Sequence, residues 1–185
     1  MKTPKAAILL ALSLLACDNA EESTTGLTRQ ASLGVALSAT GGGFYVIPVN
    51  VPIQFSFSAS QRPDGEAAGE FHIAFSDSGF EYDINGTVTC MASEPSTGRA
   101  WIGGVVTSNT STDPDLQTDI HEVGDDVWFR VLDAGEGHGA VDRTSFLGFE
   151  GAAGLTTSAE YCAARIWPDD NARTWPVING NISVR

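Results

Sequence analysis

Lysine is nearly absent from this 185-residue chain, and its two lysines, Lys2 and Lys5, both stand within the first five residues. Acidic residues outnumber Lys and Arg by 23 to 10, and the formal net charge is −13. Binding to nucleic-acid phosphates depends on clusters of Lys and Arg. We therefore expect no nucleic-acid partner, and the excess of acidic residues is read as a solvated surface.

The sequence also lacks the spaced motifs that mark common catalytic and metal sites. It contains no Gly-x-Ser-x-Gly pattern, which would hold a strained nucleophile. Its three histidines, His72, His121 and His138, are too far apart in sequence to resemble a zinc site. No catalytic residue is predicted, and a non-enzymatic role is favoured over an enzymatic one.

One apolar run stands near the start of the chain, from Ala6 to Ala16 with a single interruption at Ser13. A helix needs about 20 apolar residues to span a bilayer, so this run is typical of an export signal rather than a membrane span. Two lysines precede the run, and it ends in Leu14-Leu15-Ala16-Cys17. This ending resembles the lipobox of bacterial lipoproteins. The resemblance implies a lipoprotein signal peptide over residues 1–16 and a lipid on Cys17.

Leu15 departs from the lipobox pattern, in which a smaller residue is commoner at that position. Cleavage as an ordinary signal peptide, with a freely secreted product, is therefore the alternative. Residues 17–34 are polar and aperiodic, which predicts a flexible tether, and residues 35–185 are predicted to form one domain. We expect an exported cell-envelope lipoprotein whose only membrane contact is its lipid.

Apolar and polar residues alternate along much of the predicted domain, as in half-buried β-strands. The clearest runs are Phe71–Phe75, Phe80–Cys90, Ala100–Thr107 and Val127–Asp133. About eight such strands, with turn signals between them, predict an all-β fold. An antiparallel β-barrel is preferred over a β-sandwich because closure removes exposed sheet edges.

Four local features carry further expectations. Gly41–Gly43 predict a bend or bulge before Phe44, whereas the continuous apolar run around Gly103 and Gly104 predicts either burial on both faces of its strand or a close approach of another backbone. Residues Ser108–Asp126 are acidic and weakly patterned, which predicts a long mobile loop. Ser158–Arg165 contains several alanines and is predicted to form one or two helical turns.

The order of these segments resembles a family of uncharacterised bacterial secreted β-domains over about residues 35–185. The resemblance rests on short runs at Phe55–Ala59, Asp64-Gly65, Gly86–Cys90, Arg99–Val105, Val131–Gly137, Asp142-Arg143 and Gly180–Ile182. It implies export and a β-fold, and it implies no reaction.

Two cysteines remain in the domain when Cys17 is assigned to a lipid, namely Cys90 and Cys162. An even pair of cysteines in an oxidising compartment predicts a disulfide. Two separate buried thiols are the alternative.

The segment from Asp133 to Asp142 concentrates carboxylates, a histidine and glycines in one predicted loop. We treat Asp133, Glu136, His138, Asp142 and Arg143 as a candidate ligand loop. The oxygens of Asp133, Glu136 and Asp142 suit a hard cation such as Ca²⁺, although the spacing is not that of the twelve-residue calcium loop. The alternative is a solvated turn in which an Asp accepts backbone N–H bonds or pairs with Arg143.

Trp128 and Arg130 alternate with the inward-facing apolar residues of their strand and are predicted to form a surface contact.

The function favoured by the sequence is a non-enzymatic envelope domain that binds an unknown protein or small molecule or serves as a structural module, without a cofactor. The alternative is a small β-barrel enzyme, of the cyclase or isomerase kind, acting on an apolar substrate. A hollow interior lined by Tyr82, Glu136 or His138 would favour that alternative.

Overall fold

The computed structural model describes residues 36–115, 121–148 and 154–185. The predicted signal peptide, Cys17, the tether and Val35 lie outside these residues. The described part contains nine β-strands, one α-helix and two 3₁₀ turns. The strands and helix are β1 Leu37–Val46, β2 Pro52–Gln61, β3 Ala67–Asp77, β4 Phe80–Glu94, β5 Arg99–Asn109, β6 Asp126–Leu132, β7 Arg143–Thr144, α1 Ser158–Ala164, β8 Trp175–Pro176 and β9 Asn179–Val184.

All nine strands belong to one antiparallel sheet with the order β8-β7-β6-β5-β4-β3-β2-β1-β9. Both ends of this order come from one continuous segment, residues 175–184, which pairs first with β7 and then with β1. Between the two pairings, the Val177 N–H donates to the Asp142 carbonyl at 2.8 Å and the Ile178 N–H donates to the Phe44 carbonyl at 2.9 Å. The sheet therefore curls into a barrel-like form, and the all-β prediction is confirmed.

Two aspartates hold the free side of β9, and we call this junction the carboxylate seam. The Ile182 N–H donates to Oδ2 of Asp142 at 2.7 Å, and the Val184 N–H donates to Oδ2 of Asp133 at 3.0 Å. The other carboxylate oxygens accept N–H bonds within the β6–β7 loop, from Ala134 and Gly135. Side chains thus satisfy backbone donors that would otherwise form an open sheet edge.

The alternating apolar residues fill the interior of the curled sheet. Phe129 lies at its centre, with ring centroids 5.4 Å from Phe57 and 6.2 Å from Phe71 in edge-to-face contacts. The cavity beside these rings measures about 20 Å³, about the room that one water molecule needs. The interior is therefore packed around its aromatic side chains.

The glycine-rich stretch of β1 does not break the strand, so the prediction of a bend there is wrong. β1 pairs without interruption along both of its sides. A Cβ at Gly41 would lie 2.7 Å from the Phe57 ring, and one at Gly43 would lie 2.1 Å from the Asn179 carbonyl oxygen. These glycines admit neighbouring groups rather than a turn.

The predicted mobile loop is shorter than expected. β5 runs on to Asn109, and the N–H groups of Thr110 and Thr112 then donate to the carbonyls of Asp83 and Glu81 at 3.0 and 2.8 Å. The start of the loop therefore continues along β4, while residues 116–120 are not among those described.

Helix α1 lies on the outside of the sheet over Gly103. The helix begins with a capping box, in which the Thr157 side chain and Glu160 satisfy each other's backbone N–H groups. A Cβ at Gly103 would lie 2.7 Å from Cβ of Ser158, so glycine makes room for the helix, which is one of the two arrangements expected from the sequence. The disulfide between Cys90 and Cys162 ties the helix to β4, which confirms the predicted pairing.

The prediction that Trp128 and Arg130 form a surface contact is wrong. Both side chains point out of the barrel, but α1 and the segment that follows it cover them. Arg130 is 0% exposed, donates to the Ala172 carbonyl, and has its guanidinium 5.2 Å from the Trp167 ring centre. Trp128 stacks on Tyr161. Alternation distinguishes the two faces of a strand but does not show whether a face is covered. Here the outward side chains pack under α1 and form a second hydrophobic core.

Replacing Asp142 by Asn should destabilise the fold, because both carboxylate oxygens accept N–H bonds and an amide offers only one acceptor. We expect a loss of about 1–3 kcal/mol in the free energy of unfolding, the usual cost of an unsatisfied partner. Urea titration followed by tryptophan fluorescence measures it.

Glu136→Gln is the matched control, since Glu136 is exposed in the same loop. Its effect should stay within about 0.5 kcal/mol, as for other surface substitutions. Equal stability of the two variants would contradict a structural role for the carboxylate seam.

Candidate functional site

The loop between β6 and β7 places the predicted ligand-loop residues in different roles. Asp133 and Asp142 use their carboxylates in the seam, whereas Glu136 and His138 are exposed. Arg143 pairs with neither aspartate and instead donates to Oγ1 and the carbonyl of Thr174, at 2.9 and 2.6 Å. Within the described ranges, no three His, Cys, Asp or Glu side chains gather as a metal-binding group. Calcium binding stays a prediction.

The structure does not bring together the residues proposed to line a hollow interior. Tyr82 stands near the start of β4, donates to Asp113 at 2.9 Å and stacks on Phe75 with ring centroids 4.2 Å apart. Glu136 and His138 belong to the loop that follows β6, at the opposite end of the sheet. The cavity enclosed beside Phe57, Phe71 and Phe129 measures only about 20 Å³.

The outer face of β1–β5 carries a row of short polar residues that crosses the sheet. Direct cross-strand pairing joins Gly42 to Ser56, Ser56 to His72, His72 to Asn85, and Asn85 to Ser108. Pairing in register places successive side chains of a row about 5 Å apart. The row therefore forms one continuous surface, and we call it the polar face.

Three adjoining depressions of about 310, 540 and 310 Å³ lie along the polar face. Ser56 and His72 line both the first and the third, while Phe44 and Gln54 line both the first and the second. Shared walls make the three depressions one groove. The groove exists because most outward side chains of β2–β4 are small. The large aromatic side chains of these strands point into the interior instead.

His72 is the central titratable group of the groove. Its Nε2 lies 3.3 Å from Oδ1 of Asp83, an oxygen that also accepts from Nδ2 of Asn85 at 3.0 Å. The side chains of His72 and Asp83 are 40% and 48% exposed, so both remain in contact with water. Among the described residues, the remaining charged groups that line the groove are Glu70 and Glu81, and no Lys or Arg of that part of the chain lines any of the three depressions.

In the sequence His72 stands between the apolar residues Phe71 and Ile73, so alternation places it on the outward face, but no role was predicted for it. Its partners come from other strands, Ser56 from β2 and Asp83 and Asn85 from β4. Aligning the hairpins on their turns and reading only the outward residues would reveal the row of short polar side chains. No pattern in the sequence indicates how deep the groove is.

A second titratable group, His121, is buried beside the loop that precedes β6. It is 1% exposed, its carbonyl accepts from Nδ2 of Asn109 at 2.9 Å, and a Cβ at Gly148 would lie 3.0 Å from its Nε2. Burial lowers the pKa of His121 below its ordinary value. A backbone hydrogen bond with Leu147 and the charge of Asp125 oppose this effect without overcoming it.

Comparison of the chain with protein-family models, with curated proteins and with solved structures found no match. The resemblance to secreted bacterial β-domains therefore stays a prediction, and function is inferred from the geometry of the polar face. No helix in the described part is long and apolar enough to cross a membrane.

Acid should destabilise the protein through His121. Because its pKa is lower in the folded than in the unfolded state, the unfolded state takes up the proton first as pH falls. The stability contributed by neutral His121 is complete above the unfolded pKa of about 6.5 and is lost as pH falls below it. Unfolding free energies measured from pH 8 to pH 5 should decrease.

The variants His121→Gln and His138→Gln separate this effect from general acid sensitivity. His121→Gln should flatten the pH dependence, whereas His138→Gln, at an exposed position, should retain it. A slope that survives His121→Gln would mean that another group carries the acid sensitivity.

Proposed function

We propose that this protein is an exported, lipid-anchored domain that binds a polar ligand on its polar face and performs no reaction. The observation that carries the proposal is the groove itself, in which Ser56 and His72 join the first depression to the third, and Phe44 and Gln54 join the first to the second. Ligand sites are concave and combine apolar surface with a few convergent polar groups. The groove has both.

The volume of the groove makes it a better candidate for the binding site than the interior of the barrel. Ligand pockets commonly measure about 300–1,000 Å³, the range into which the three depressions fall. The interior cavity of about 20 Å³ is more than ten times smaller than any of them. A ligand on the outside requires no repacking of Phe57, Phe71 or Phe129.

Water contact at His72 and Asp83 supports binding rather than catalysis. A catalytic acid–base pair gains most from a site that excludes water, where charges interact strongly. Both side chains are more than a third exposed. They suit recognition of a ligand through hydrogen bonds.

Lipid anchoring is tested by Cys17→Ser in cells of a lipoprotein-processing bacterium. The wild-type chain should partition into the detergent phase with the membrane fraction, and the variant should appear in the aqueous phase, because one or more acyl chains supply the membrane affinity. Phase separation followed by immunoblotting measures the distribution. Unchanged partitioning of the variant would rule out the anchor at Cys17.

Binding on the polar face is tested by filling the groove. Ser56→Tyr should abolish the binding of any ligand whose addition shifts the amide NMR signals of Ser56, His72 and Asn85. The probes are a panel of soluble neutral polysaccharides, acidic polysaccharides, peptides and nucleotides. The substituted side chain points outward from a strand, where tyrosine is well tolerated, so the fold should persist.

Ser60→Tyr is the matched control. Ser60 is an exposed residue of the same strand, two outward positions from Ser56, and it lines none of the three depressions. This variant should bind as the wild type does. Ligand-induced shifts confined to the β6–β7 loop, or equal loss of binding in both variants, would contradict the polar face as the site.

A further inference from the structure

We infer that the groove on the polar face binds a neutral oligosaccharide, lying across the strands with one sugar ring against Phe44. This inference rests on the proposed function and names the ligand class of the same site. Four features of the groove carry it: a partly exposed aromatic ring, groups that both donate and accept hydrogen bonds, the sign of its charges, and its length.

Phe44 supplies the aromatic surface. It is an outward residue of β1, paired with Gln54 on one side and Asn179 on the other, and it is only partly buried. It forms part of the wall between two depressions. A sugar ring has an apolar face of C–H groups that packs on an aromatic ring, while its hydroxyls remain free at the rim.

The polar groups along the groove match hydroxyls, which both donate and accept. Gln54 and Asn85 carry an amide with donors and an acceptor, Ser56 has a hydroxyl, and Asp83 presents carboxylate oxygens. Planar amides and carboxylates can bind two adjacent hydroxyls of a sugar. A lipid chain would leave these groups without partners, at a cost in free energy.

The charges of the groove oppose anionic ligands. Glu70, Glu81 and Asp83 line it, and no Lys or Arg within residues 36–115, 121–148 and 154–185 does. Nucleotides, phosphorylated compounds and uronic-acid polymers would meet repulsion on a chain of formal charge −13. A neutral oligosaccharide meets no such repulsion.

The hydrogen bonding of the strands disfavours the binding of an extended peptide as an added strand. A peptide that adds to a sheet uses backbone groups left free at an edge. β2, β3 and β4 each pair with a strand on both sides, so the floor of the groove offers side chains instead. Recognition there must come from groups such as Ser56 and His72.

The groove is long enough for several sugar rings. Strands stand about 4.8 Å apart, so the row from β1 to β5 extends about 19 Å across the sheet. Shared walls connect the depressions along this distance. A polysaccharide segment fits this shape better than a monosaccharide does.

Affinity electrophoresis of the full chain, in a detergent without a sugar headgroup, tests the inference. The probes are soluble glucan, mannan, xylan and galactan, with polygalacturonate as an acidic polymer of similar size. At least one neutral polymer should retard the protein, and polygalacturonate should not. Phe44→Ala should weaken the retardation about tenfold or more, because stacking and burial of one ring face are lost.

Phe80→Ala is the matched control, since Phe80 is also an exposed phenylalanine, at the start of β4, and lines none of the three depressions. It should bind as the wild type does, and circular dichroism should show both variants folded. Retardation that Phe44→Ala leaves unchanged would overturn the inference, as would the absence of retardation by all four neutral polymers.

The failure of the inference can be told apart from failure of the proposed function. Binding of a peptide or nucleotide that Ser56→Tyr blocks, without binding of any neutral polymer, would overturn the saccharide and leave the groove as the site. Binding of a neutral polymer that Ser56→Tyr leaves intact would overturn both.

Discussion

The closure of the sheet by the segment 175–184 is the constraint on which the rest of the structure depends. One stretch of chain pairs with β7 through its first residues and with β1 through its last. Where its N–H groups face away from β1, the carboxylates of Asp133 and Asp142 accept them. Each buried or edge N–H left unpaired would cost free energy and invite pairing with another chain.

In the closed sheet every strand has a row of inward side chains and a row of outward side chains. The outward side chains are covered on one side of the barrel and exposed on the other. Over β4–β6 the outward residues include Ala92, Trp101 and Trp128, and helix α1 buries them with Tyr161. Over β1–β4 nothing in the described chain covers the outward residues Ser56 and His72. The disulfide fixes the helix to the covered side, and the other side stays open to solvent.

The same division explains what could be predicted from the sequence. Alternation along Phe71–Phe75 and Val127–Asp133 identified strands and inward residues correctly, because period-two patterning follows directly from strand geometry. It failed for Trp128 and Arg130, since alternation says which residues leave the interior but not whether another element covers them. The size of the outward residues was the neglected signal, because large aromatic residues facing outward need a cover.

The glycines illustrate a second limit of prediction from sequence. For Gly103 a close approach of another chain segment was one of two expected arrangements, and the structure has it, whereas Gly41–Gly43 were taken for a bend or bulge. Both sets of glycines admit neighbouring atoms, Ser158 in the first case and Phe57 and Asn179 in the second. Which neighbour approaches depends on tertiary contacts between residues more than a dozen positions apart, and a local pattern cannot contain them.

A groove built on central strands has a physical consequence for recognition. β2, β3 and β4 are hydrogen-bonded on both sides, and the rings beneath them fill the interior, so the backbone of the groove has little freedom to lose when a ligand binds. Preorganisation reduces the entropic cost of association. The exposed side chain of Ser56 is short, so ordering it costs little as well, whereas the longer side chain of Gln54 loses more freedom. Affinity at this face would then depend on how well a ligand matches a fixed set of polar groups around Phe44, which favours ligands with a rigid, repeating arrangement of hydroxyls over flexible ones.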